Sequence, residues 1–135
     1  MPAVVPADAE RVVTDAVKAV IDSGALPAAP NGWKRGTTVT PGVTPTWFVQ
    51  VRMIGGEDEQ VVATRPLVDV RVWADGTSAT EGVRSLAART LLGYLRAALP
   101  LRVFALPVPL PDPADPSKIH TLFTVQLLTK GVQLP

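Results

Sequence analysis

The chain contains no cysteine and a single histidine. Disulfides, thiolate–metal sites and a secreted disulfide scaffold are therefore excluded, and one histidine cannot build a multi-histidine metal centre. Phe, Trp and Tyr make up 5% of the 135 residues, so aliphatic side chains must do most of the packing. No apolar run approaches the ~18 residues that a membrane-spanning helix needs. Neither a G-x-x-x-x-G-K-[ST] loop nor a G-x-G-x-x-G turn is present, so no phosphate cradle is indicated. Charge of either sign is nearly balanced, 13 basic against 12 acidic residues, net +1. Such a balance gives no electrostatic preference for nucleic acid or for acidic surfaces. The opening MPAVVPADAERVV lacks a basic segment followed by an apolar one, and no signal peptide is expected there.

Apolar residues, by contrast, are plentiful. They form 47% of the chain, and the mean hydropathy is +0.24. At this length a single domain with one core is expected. Either that core is generous or another subunit covers part of the apolar surface. Proline is abundant too, 14 residues, about twice the ordinary share. It punctuates loops and limits free strand edges.

Hydrophobic spacing predicts a first amphipathic helix over residues 7–23, with Asp8 as N-cap and Gly24 as its stop. Ala9, Val13, Ala16, Val17 and Val20 share its buried face. Residues 25–45 read as loop, with at most a weak strand at 33–40. Alternation over 46–54 predicts a strand with Trp47, Val49, Val51 and Met53 on one face. Gly55-Gly56-Glu57-Asp58-Glu59 reads as an acidic hairpin tip, with the return strand resuming at Gln60. Residues 67–74 alternate again, with Val68, Val70, Val72 and Ala74 facing the core. Ser78-Ala79-Thr80-Glu81 has the form of a capping box and opens a second helix that ends at Pro100. Val83, Leu86, Ala87, Thr90, Leu91, Tyr94 and Ala98 are expected to form its buried stripe. A short strand at 101–106 follows. The segment 107–118, with five prolines in twelve residues, reads as an extended loop without regular structure. A last strand over 119–130 puts Phe123, Val125 and Leu127 on one face. These elements predict an α+β domain: a mainly antiparallel sheet with two helices packed on one face. A crossover through the second helix would add one parallel pair. The loops near 25–45 and 107–118 are expected to be mobile.

The search for chemistry returns structural readings. Ser78 follows a strand and precedes a helix, but G-x-S-x-G is absent and helix capping accounts for it. His120 has no local nucleophile or orienting partner in the pattern, and strand-edge placement accounts for it. The Glu57–Glu59 run lacks the alternating spacing of a calcium loop. Lys34 and Arg35 beside Trp33 are too few charges for strong phosphate binding; a loop anchored by the tryptophan accounts for them. No catalytic, metal or cofactor site is expected.

The outward strand faces are more informative. They carry Phe48, Gln50, Arg52 and Ile54 on one strand and Leu67, Asp69, Arg71 and Trp73 on the other. In-register pairing would bring Arg52 opposite Asp69. Aromatic and arginine residues are enriched at protein contacts. The same mixture also fits an ordinary solvated face, and the high apolar content favours the interface. The outer face of the second helix carries Ala88, Leu92 and Leu99 beside its charges. Arg52, Asp69, Arg71, Trp73, Ala88, Leu92 and Leu99 are thus the candidate contact residues.

The run PLVDVRVWAD followed by the capped helix SATEGVRSLAARTLLGYL resembles tail terminator proteins of long-tailed bacteriophages. There too an alternating strand ending in an aromatic leads into an Ala/Leu-rich helix. A helix comes before and a proline-rich hairpin after, and the likeness covers about 7–130. It implies a small α+β protomer that forms a hexameric ring. The ring caps the tail tube, halts its growth and joins it to the head connector, with DNA passing through as cargo. Expected partners are thus the chain itself, the tail tube protein and the head–tail connector protein, and its place is the virion, or the host cytoplasm during assembly. No position-specific functional residue carries over, and the loop at 107–116 is longer than the family pattern. Another neck component, such as a stopper or adaptor, or a small ligand-binding or enzymatic domain, are the alternative readings.

Overall fold

The computed structural model describes residues 4–5, 8–39, 43–60, 63–75, 81–112, 115–130 and 132–133. In chain order the elements are β1 (Val4–Val5), α1 (Ala9–Asp22), β2 (Lys34–Gly36), β3 (Phe48–Gln60) and β4 (Ala63–Trp73). They continue with α2 (Glu81–Ala98), β5 (Leu101–Pro111), β6 (Ile119–Leu127), β7 (Thr129–Lys130) and β8 (Val132–Gln133). The main sheet has the order β2-β3-β4-β6-β5, with β7 beside β4, while β1 and β8 pair separately. The class is α+β, as the pattern predicts, and the sheet is mostly antiparallel.

Alternation along the strands builds the core. Val49 and Val51 of β3 stand opposite Val72 and Val70 of β4. Val70 and Val68 in turn oppose Phe123 and Val125 of β6. All seven are buried, and they form one cluster with Leu127 and both helices. Helix α1 contributes Ala9, Val13, Val17 and Val20, each valine worth roughly 1.5–3 kcal/mol when fully buried. Its ends are as the sequence predicts. Asp8 accepts a hydrogen bond from the Arg11 amide at 3.1 Å, and Gly24, at φ +76°, takes the left-handed turn after the Ser23 cap.

Four expectations are corrected. Strand β3 runs on to Gln60, so Glu57–Glu59 lies along a hairpin arm and not at its tip; residues 61–62 at the turn lie outside the described residues. Strand β5 runs to Pro111, through prolines expected to end it. The Asp112 amide donates to the Lys118 carbonyl across the hairpin. Amide direction alternates along a strand, so in the same register Pro109 and Pro111 turn their donorless nitrogens to the open edge, and Pro107 falls at the register irregularity between Ala105 and Val108. The α2 crossover does not create a parallel pair, because β6 lies between β4 and β5; the parallel pair is β2–β3.

The fourth correction is the rotation of α2. Its buried residues are Arg84, Ala87, Ala88, Leu91, Leu92 and Leu95, while Leu86 is 47% and Tyr94 50% exposed. The buried stripe is turned by about one position, roughly 100°. Arg84 fixes the turn: its Nε donates to Thr121 Oγ1 at 2.9 Å and an Nη to the Ile119 carbonyl at 3.2 Å. Ala87, Ala88, Leu91 and Leu95 then follow at helical spacing onto the sheet. The capping box falls mostly on 76–80, outside the described residues.

Candidate interaction surfaces

The sheet face away from the helices carries a polar network built by strand alternation. Arg52 and Asp69 are register partners on β3 and β4, as the sequence predicts. The ion pair that forms at Asp69, however, is with Arg71 two residues along, at 3.8 Å. Thr124 of β6 donates to the other Asp69 oxygen at 2.6 Å. Gln50 donates to the Thr37 carbonyl at 3.2 Å, and Arg102 to Gln126 at 2.6 Å. Gln50, Arg52, Ile54, Asp69 and Arg71 line a cleft of about 110 Å³. The structure therefore brings Arg52, Asp69 and Arg71 together at one surface.

Trp73 belongs to the same face but offers no free surface. It is buried between Phe48, with ring centroids 6.4 Å apart, and His120, at 4.9 Å. His120 is buried as well, and neither its ring nitrogens nor Trp73 Nε1 find a hydrogen-bond partner. Burial pushes the His120 pKa down to about 4; Arg71 and Arg84 add to the shift and Asp112 opposes it. The imidazole is neutral at pH 7.

The helix candidates are corrected too. Ala88 and Leu92 face the sheet and are buried in the core, and Leu99 packs against its margin. The rotation of α2 exposes Leu86 and Tyr94 in their place. The sequence left these two on the buried stripe because the helix is Ala/Leu-rich on several sides, and the binding of Arg84 to β6 was not legible in it.

A second surface was not anticipated. On the edge strand β5, Phe104 is 62% and Leu106 69% exposed. Between β5 and α2 lies a groove of about 430 Å³ lined by Ser85, Arg89, Leu92, Gly93, Arg96, Leu106 and Pro107. The signal lies in the unbroken apolar run Val103–Leu106, too long for one strand to bury on a single face. No group of three or more metal-ligating side chains occurs among the described residues, and no helix among them is long and apolar enough to cross a membrane.

Compared with known proteins, the chain matches no family model, and no curated sequence matches it significantly.

Proposed function

We propose that this chain is a structural virion protein of the tail terminator type, a subunit of a ring that caps the tail tube and joins it to the head connector. The observation that carries the reading is the apolar surface left uncovered at both margins of the sheet. Phe104, Leu106 and Val108 stand exposed on the β5 edge, and Met53 and Ile54 on β3. Exposed large apolar residues gathered in this way mark contact surfaces. A ring needs two different patches, the front of one subunit meeting the back of the next. The strand-to-helix order of 66–100, which underlies the family resemblance, supports the same reading.

Light scattering and negative-stain images of the purified protein test it. A discrete ring that binds the ends of tail tubes and stops their elongation is the expected result. Binding to portal-side rings would instead assign the chain to another neck position. A particle that stays monomeric at high concentration and ignores tubes would sink the reading.

A further inference from the structure

The cleft on the open sheet face is built by the pairing of two strands. Arg52 stands opposite Asp69, and Gln50 opposite Arg71. The two arginines are therefore diagonal neighbours on one face, about 7–8 Å apart and within reach of long side chains. Both line the same cleft of about 110 Å³, with Ile54 beside them. Asp69 leaves both arginines with donors to spare. One of its oxygens accepts from Thr124 at 2.6 Å. The other meets Arg71 at 3.8 Å, an ion pair too long for a hydrogen bond. Arg52 is exposed and has no acidic partner among the described residues. Asp69 is also the one carboxylate among the described outward side chains of β3, β4 and β6. Two guanidinium forks against one carboxylate leave the cleft with one positive charge. Ile54, 52% exposed, gives it an apolar wall.

We infer that this cleft is a binding site for one aliphatic carboxylate. Arg52 and Arg71 donate to its two oxygens through their planar forks, a geometry that suits a carboxylate. Its methylene stem lies on Ile54. A single negative charge neutralises the cleft, whereas a phosphate dianion overshoots it and is repelled by Asp69. The carboxylate comes from a small acid or from an acidic side chain of another protein. The site owes nothing to the ring reading above, and its test reads the same on a monomer or on a ring.

NMR spectra of the arginine Nε–H groups, assigned by loss of a peak in Arg52→Gln and in Arg71→Gln, test it during titration with propionate at constant ionic strength. The Arg52 and Arg71 signals should shift together and saturate at roughly millimolar propionate. Arg52→Gln should weaken binding about tenfold or more while leaving the backbone amide spectrum in place elsewhere. Asp69→Asn keeps an oxygen for Thr124 and removes the competing charge. It should tighten propionate binding severalfold and turn the preference towards phosphate. N-acetyl-glutamate amide in place of propionate separates the two sources. Tighter binding than propionate points to a protein side chain and equal binding to a free acid, and either upholds the site. Shifts that sodium chloride reproduces, or movement of the Arg52 signal alone, would overturn the inference. So would a wild-type preference for phosphate, or an Asp69→Asn protein that binds propionate no tighter than wild type.

Discussion

His120 and Trp73 pack ring on ring with three buried nitrogens that find no partner. Unsatisfied buried polar atoms carry a desolvation cost of roughly 1–3 kcal/mol each, and protonating the imidazole there adds a buried charge. Arg71 from β4, Arg84 from α2 and Asp112 beyond β5 are the charges that act on it. Its folded pKa, about 4, lies below the ordinary ~6.5, so the unfolded chain takes up the proton first as pH falls. Its contribution is complete above pH ~6.5 and is lost as pH falls through about 4. Between pH 7 and 4.5, wild type should lose about 1–2 kcal/mol more than His120→Phe, after allowance for solvent screening. Urea melts at the two pH values measure the difference. An equal loss in both proteins would show that the imidazole is not responsible. Arg84 is the second residue of this kind. Its two hydrogen bonds to β6 come from different nitrogens of the guanidinium fork, a geometry an ammonium does not reproduce. Arg84→Met should cost about 2–3 kcal/mol in chemical denaturation, and Arg84→Lys should fail to recover it.

At the scale of elements, α2 makes the sharpest comparison. Leu95 is fully buried and Leu86 is half open, the reverse of what spacing predicts for Leu86. Leu95→Ala is expected to cost about 2–5 kcal/mol, and Leu86→Lys to stay within about 0.5 kcal/mol. Thermal melts of the two variants separate the observed rotation from the predicted one. Much of the architecture was legible because alternation and capping are local signals. The valines of β3 and β4, Phe123 and Val125 of β6, and the Asp8 and Gly24 ends of α1 all stand where the sequence places them. The rotation of α2 was not, since it depends on acceptors supplied by Thr121 and Ile119, some 35 residues away along the chain. The length of β5 was missed for a related reason. A proline ends a strand or spares it according to which side its nitrogen faces, and that side is set by pairing with β6. At the candidate surfaces, the Arg52–Asp69 register was readable, whereas the burial of Trp73 depends on His120 from a distant strand.

For the molecule as a whole, the alternating prolines of β5 bear on what kind of assembly it is able to enter. A sheet margin that is greasy but donorless attracts a neighbour without letting main chains zip together. Recruitment is thereby separated from templating: whatever meets this margin is met by side-chain shape and charge, and is kept from stacking rung upon rung without limit. Restoring amides with Pro109→Thr and Pro111→Thr should remove that brake. Thioflavin-binding fibres are then expected at concentrations where wild type remains a finite particle. Proline, in this protein, keeps an apolar edge from becoming a template.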